Sequence, residues 1–153
     1  MPIFSLQSLA QQAILQLDQA ACDERAKVIG YCLLPSTMQA IIGFEEEHDI
    51  GGFLYHYKWL ASHAIICLEH GEFHEKLYRK GKFKPWMNRF EKSNLTGSTI
   101  VKAKLDYIHQ DPVKRSLAAS AAEWPYSSAG DWAGVRKGII EIYRNYASLL
   151  PPI

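Results

Sequence analysis

The chain has 153 residues, with 17 Lys or Arg against 16 Asp or Glu and a formal net charge of +1. We expect one domain, 1–153, with a core large enough to need no disulfide or structural metal. No stretch of about 18 apolar residues is present, which excludes a membrane-spanning helix. The N-terminus has no basic region followed by an apolar run, so we expect a cytoplasmic protein.

The first half of the sequence predicts a helix followed by two strands. Apolar residues recur at intervals of three and four over 5–22, which is typical of an amphipathic helix. Residues 27–34 and 37–44 favour strands, with a turn between them at Pro35. In the second strand, Thr37 and Gln39 share the face opposite the apolar side chains. Cys22, Cys32 and Cys67 lie in apolar stretches without CxxC spacing, so we expect reduced, buried cysteines.

The second half predicts two further helices around a basic segment, and then a final helix. Asp49 is a plausible N-cap of a long helix that ends at Gly71, and the stretch 76–92 reads as a loop leading into a short strand at 86–90. A third helix opens at Ser98 and is expected to stop at Asp111, before Pro112. Residues 138–150 complete the chain as a helix. This order predicts an α+β fold whose antiparallel sheet has helices packed on one face and a free face for a ligand.

Charge is strongly segregated along the chain. Residues 1–75 carry 3 Lys or Arg against 10 Asp or Glu, whereas residues 76–115 carry 11 against 3. Clustered basic residues favour a polyanion, because they displace counterions from phosphates. Aromatic residues within the run, among them Trp86 and Tyr107, favour stacking on unpaired bases and hence single-stranded or hairpin nucleic acid. The alternative is a solvated, lysine-rich loop packed by its own aromatics.

Four segments resemble the REP-associated tyrosine transposases, which belong to the single-tyrosine HUH group. They are YIHQDPVKR at 107–115, EWPYSS at 123–128, YCLLP at 31–35 and KPWMNRF at 84–90, so the resemblance covers about 24–132. It implies a ferredoxin-like sheet, a homodimer and single-stranded or hairpin DNA as partner. It also implies a divalent metal, Mg²⁺ or Mn²⁺, and a tyrosine nucleophile that forms a 5′-phosphotyrosine link. The resemblance begins after the first strand of the family, so we expect a sheet that lacks this strand and has an open edge.

The resemblance assigns these roles to particular positions of this sequence. Tyr107 corresponds to the nucleophile and Asp111 to a metal ligand one helical turn further on. Thr37 and Gln39 stand where the family has its two histidines, and Ser116 stands where it usually has glycine. The residues expected to contact nucleic acid are Lys80, Lys82, Lys84, Trp86, Arg89, Lys92, Lys102, Lys104, Lys114 and Arg115.

The substituted histidines leave three hypotheses open. A hydroxyl and an amide are weak neutral donors, so the first is a DNA-binding protein derived from a transposase that binds no metal and has lost or impaired catalysis. The second is an active single-tyrosine transposase that binds metal through Gln39 and Asp111. The third is a decaying relic without a selected role.

Overall fold

The computed structural model describes residues 3–5, 7–44, 50–68, 78–79, 82–83 and 97–150. Its regular elements are, in chain order, α1 Gln7–Asp23, β1 Ala26–Leu34, β2 Thr37–Phe44, α2 Ile50–Leu68, β3 Tyr78–Arg79, β4 Lys82–Phe83, α3 Ser98–Lys114 and α4 Ala129–Ala133. Short 3-10 turns lie at Ile3–Ser5, Ala121–Glu123 and Tyr146–Leu149.

The strands β1 and β2 form an antiparallel hairpin. The register runs from Ala26 opposite Phe44 to Leu34 opposite Thr37, with a bulge between Val28 and Gly30. The short strands β3 and β4 form a second antiparallel pair. The predicted α+β fold with an antiparallel sheet is therefore confirmed, and both strands of the main hairpin lie where the sequence predicts them.

One face of the β1–β2 sheet packs against α1 and α2. The amphipathic spacing of α1 places its apolar side chains in this core, where they meet Tyr31 and Leu33 of β1 and Phe53 of α2. Ala13 and Ala61 are completely buried, and the Tyr57 hydroxyl donates a hydrogen bond to the Ala13 carbonyl at 2.9 Å. This core fixes α1 and α2 against the hairpin.

The opposite face of the sheet packs against α3, so the expectation that helices cover only one face is wrong. Ile29, Cys32 and Leu34 of β1 form a second core with Leu105 and Ile108 of α3. The physical reason lies in β1, in which every residue except Lys27 is buried. A strand that is apolar on both faces needs a covering layer on each side.

The outer edge of β1 is covered by the chain after α3. The Leu33 amide donates to the Tyr126 carbonyl at 2.8 Å, and the Ser128 amide donates to the Tyr31 carbonyl at 3.0 Å. The indoles of Trp124 and Trp132 donate to carbonyls of the same strand, each at 2.9 Å. These bonds satisfy backbone groups that an open edge would expose.

The predicted helix at 138–150 is wrong, because only a 3-10 turn, Tyr146–Leu149, forms there. The Tyr143 amide donates to the Val28 carbonyl at 2.7 Å instead of to its own segment. Ile140 is buried in the first core, and Ile139 and Ile142 pack against it. A tertiary hydrogen bond to β1 and burial in the core therefore hold this segment in place of a helix, although its apolar spacing resembles that of a helix.

The third helix begins at Ser98 as predicted but continues through Pro112 to Lys114, so the predicted stop at Asp111 is wrong. Proline in the last turn removes one amide donor, and Pro112 is fully buried. Beyond the helix, Ser116 N–H donates to Val113 and Leu117 N–H donates to Pro112, which is the Schellman pattern. Ser116 has φ 59°, the left-handed conformation that favours glycine.

The remaining predictions concern membrane spans, cysteine burial and the ends of elements. Among the described residues, no helix is both long and apolar enough to cross a membrane. Cys32 is buried, whereas Cys22 is exposed, so the expectation of a buried thiol is wrong at Cys22. The predicted cap at Asp49, the helix end at Gly71, the side chain of Cys67 and the strand at 86–90 lie outside the described residues.

Candidate nucleic-acid interface

The helix α3 presents Tyr107 on its outer face. Because Val101, Leu105 and Ile108 are buried against the sheet, the residues on the other side of the helix face outward. Tyr107 keeps 51% of its surface exposed. The Nζ atoms of Lys104 and Lys114 lie 5.1 Å and 4.6 Å from the centroid of its ring. Two ammonium groups therefore lie close to the phenol ring.

An ion pair lies one helical turn beyond Tyr107. Asp111 is 9% exposed, and its Oδ1 accepts a hydrogen bond from Arg115 Nε at 3.1 Å. The two side chains are four residues apart on the helix, a spacing at which opposite charges meet. The side chain of Arg115 is 57% exposed. The carboxylate is thus nearly enclosed, whereas more than half of the surface of the arginine side chain is exposed.

The strand β2 brings Gln39 to the sheet face that α3 covers. Gln39 pairs with Cys32, and Thr37 pairs with Leu34. Burial raises the pKa of the Cys32 thiol to about 12, and the negative charge of Asp111 adds to this shift while Arg115 opposes it. Asp111 and Gln39 therefore lie near the same residue of β1. Thr37 is exposed at the end of the hairpin.

The three positions assigned to the metal form a poor donor set. Gln39 Oε1 is buried and has no hydrogen-bond partner within the described part of the chain. Asp111 is the only charged member of the set, and Arg115 already neutralises it. Among the residues that the structure describes, no group of three or more His, Cys, Asp or Glu is placed to hold a metal ion. Mg²⁺ and Mn²⁺ prefer carboxylate oxygens, so these side chains do not fit a divalent ion well.

His109 points into the protein and not towards Tyr107. It is 7% exposed, and its Nε2 lies 2.7 Å from Ser128 Oγ, which accepts a hydrogen bond from the Tyr31 amide at 2.9 Å. Burial lowers the pKa of His109 to about 4, against the opposing charges of Asp106 and Asp131. The imidazole therefore connects α3 to β1 and to the residue that follows the EWPYS turn. The sequence gives no signal for this contact, because its partners are distant along the chain.

The structure brings only some of the predicted basic residues to the Tyr107 face. Lys102 is exposed but lies about 140° around the helix from Tyr107, and it pairs with Asp106 at 3.4 Å. Lys82 lies in β4, and nothing is described of its side chain. The other predicted contacts lie outside the described residues, namely Lys80, Lys84, Trp86, Arg89 and Lys92.

No protein-family model matches the sequence, and no curated protein matches it. The fold is similar to that of a solved structure, a REP-associated tyrosine transposase bound to a REP hairpin, with a TM-score of 0.65. The similarity covers 94% of this chain and 79% of that chain, at 19% sequence identity. The resemblance seen in the sequence is thus accompanied by a shared fold with a REP-associated tyrosine transposase.

Proposed function

We propose that this protein is a transposase-like DNA-binding protein that recognises single-stranded or hairpin DNA through the exposed face of α3. The observation that carries the proposal is the exposed phenol ring of Tyr107 close to the ammonium groups of Lys104 and Lys114. Ammonium groups bind phosphates, and an exposed ring stacks on an unpaired base. The fold shared with a transposase bound to a REP hairpin supports the same partner.

Strand cleavage is lost or impaired in this proposal. A neutral phenol is a poor nucleophile towards a charged phosphodiester, so a divalent metal would have to stabilise the transition state. The carboxylate of Asp111 is already paired with Arg115, and Thr37 and Gln39 contribute only neutral oxygens. This donor set therefore favours a protein that binds DNA over one that cleaves it.

The second candidate is an active single-tyrosine transposase. Two observations favour it, namely the exposure of Tyr107 and the buried Gln39 Oε1, which has no hydrogen-bond partner among the described residues. Incubating the protein with labelled hairpin DNA and Mn²⁺ separates the two candidates. A denaturant-resistant adduct that Tyr107→Phe abolishes would establish the transposase. Calorimetric titration with Mn²⁺ gives a second readout, because saturable binding lost in both Gln39→Ala and Asp111→Ala would support the same candidate.

The binding proposal is tested by the fluorescence anisotropy of a labelled hairpin with a single-stranded extension, measured over a range of salt concentrations. Replacing Lys104 and Lys114 together by Gln is expected to weaken binding and to lower the slope of log affinity against log salt by about 1 to 2. Lys102→Gln is the matched control, because Lys102 lies on another side of α3. An equal loss in both variants would contradict the assignment of the surface.

Homodimer formation and a cytoplasmic location remain predictions. Sedimentation velocity of the protein, with and without the hairpin, would test the first of them.

A further inference from the structure

We infer that Arg115, oriented by Asp111, is the specific phosphate anchor of this surface, and that DNA binding here needs no divalent metal. The inference rests on the proposed function and names the side chain that holds the phosphodiester. Its starting point is the ion pair between Arg115 Nε and Asp111 Oδ1 at 3.1 Å.

The ion pair uses only part of the guanidinium. Arginine has five N–H donors in a fixed plane, and the bond from Nε engages one of them. The side chain remains 57% exposed, and the bond from Nε leaves the terminal NH₂ groups free of this ion pair. Two parallel N–H donors match two oxygens of one phosphate, and this bidentate geometry distinguishes arginine from lysine.

The ion pair with Asp111 restricts the orientation of the Arg115 guanidinium. Asp111 is only 9% exposed and its charge acts on the thiol of Cys32 in β1, so the carboxylate is nearly enclosed, which limits the positions that its partner can occupy. A side chain that is already ordered loses less conformational entropy when it binds. Asp111 therefore acts as a positioning residue, and its charge serves Arg115 instead of a metal ion.

The anchor lies beside the other groups of the proposed interface. With about 100° of rotation per residue, Tyr107, Asp111, Lys114 and Arg115 fall within an arc of about 100° on α3. Lys114 also contacts the ring of Tyr107. One phosphate on Arg115 would thus have a neighbouring ammonium group and an aromatic ring on the same face.

The position of Arg115 at the end of α3 offers a simpler explanation for its ion pair with Asp111, namely that the pair stabilises the helix. A cation in the last turn stabilises the helix dipole, and an i,i+4 ion pair stabilises the helix itself. This explanation predicts an effect of substitution on stability and none on DNA affinity. Affinity and stability must therefore be measured on the same variants.

The experiment compares wild type with Arg115→Lys, Arg115→Gln and Asp111→Asn in hairpin binding, with either EDTA or Mn²⁺ present, and records urea unfolding of each. We expect equal wild-type affinity in both buffers and a loss of about tenfold in Arg115→Gln, since a charge-assisted bidentate contact is removed. Arg115→Lys keeps the charge but not the bidentate geometry, and it should recover only part of the loss.

Asp111→Asn distinguishes the two explanations by the direction in which DNA affinity changes. Removing a negative charge should strengthen binding if only total charge matters, whereas loss of the positioning contact should weaken it, by roughly twofold to tenfold. Titration of inorganic phosphate, followed through the NMR signal of Arg115 Nε–H, checks the anchor without DNA. A shift of that signal is expected in wild type and should need more phosphate in Asp111→Asn.

Each of four results would overturn the inference. Wild-type hairpin binding that requires Mn²⁺ and disappears in EDTA would show that a metal is needed. Wild-type affinity in Arg115→Gln, or stronger binding in Asp111→Asn, would remove the anchor while leaving the proposed function intact. Failure of the wild type to bind hairpin DNA in either buffer would contradict the proposed function itself.

Discussion

Ser116 carries local backbone strain at the end of α3. Its φ of 59° lies in the left-handed region, and its position after the helix is one that glycine usually fills. Ser116→Gly is expected to raise the free energy of unfolding by about 0.5 to 1 kcal/mol, measured from urea midpoints at constant m-value. Ser120→Gly is the control, because Ser120 is extended with φ −138° and gains nothing from glycine. Equal destabilisation in both variants would contradict the strain at Ser116.

His109 predicts a specific pH dependence of stability. Burial lowers the pKa of its imidazole from 6.5 to about 4, so the folded protein binds fewer protons than the unfolded chain between these values. Stability is therefore complete above about pH 6.5, falls as the pH decreases towards 4, and levels off below it. The loss is expected to reach about 3 kcal/mol at most.

Urea unfolding of wild type and His109→Gln across this pH range provides the measurement. The variant lacks the titrating group, so the difference in unfolding free energy between the two proteins should shrink or change sign as the pH falls. A constant difference, or an NMR titration of His109 with a midpoint near 6.5, would contradict the burial of the neutral imidazole.

Sequence patterns predict the local spacing of the candidate residues better than they predict the contacts of those residues. The one-turn spacing of Tyr107 and Asp111 holds in the structure, because helical periodicity is a local property. The contact between His109 and Ser128 and the ion pair that engages Asp111 depend on how elements pack and which rotamers they allow. Cys22 shows the same limit, since its apolar neighbours do not determine which side of α1 it occupies.

At the scale of elements, close packing of α3 on β1 depends on Gly30. A Cβ atom at this position would overlap Leu105 Cδ1 and would lie 3.2 Å from Ser128 Oγ. Leu105 is 4% exposed and has little space in which to move. Gly30→Ala is therefore expected to destabilise the protein by about 1 to 3 kcal/mol in urea unfolding.

Gly97→Ala is the matched control for this prediction, because no atom of the described residues lies within 4 Å of its Cβ position and its φ is −152°. The double variant Gly30→Ala with Leu105→Ala should be less destabilised than the sum of the single changes. Additive effects would show that Leu105 does not cause the conflict.

Elements with strong local periodicity were predictable, whereas those set by tertiary contacts were not. The helix α1 and the two strands of the hairpin follow from spacing and turn residues. The segment 138–145 has apolar spacing similar to that of a helix, but the bond between Tyr143 and Val28 keeps it irregular along β1. The predicted end of α3 before Pro112 was wrong for a related reason. Pro112 lies in the last turn of the helix, where the packing of the turn compensates for the amide donor that proline lacks.

At the scale of the whole molecule, the α+β class follows from the order of the elements, but the layering does not. The free sheet face expected from the sequence is occupied by α3, so the proposed ligand surface lies on the outside of that helix. Charge segregation along the chain pointed to a basic surface, and the exposed lysines of α3 give part of it a defined geometry.

Photocrosslinking is the measurement that tests the α3 interface most directly. A hairpin with 5-iodouracil in its single-stranded extension would be irradiated with the protein, digested with trypsin and mapped by mass spectrometry. We predict a crosslink in the peptide 105–114, at Tyr107, that unlabelled hairpin competes away and that Tyr107→Ala abolishes. Efficient crosslinking confined to other peptides, with none in 105–114, would contradict the account.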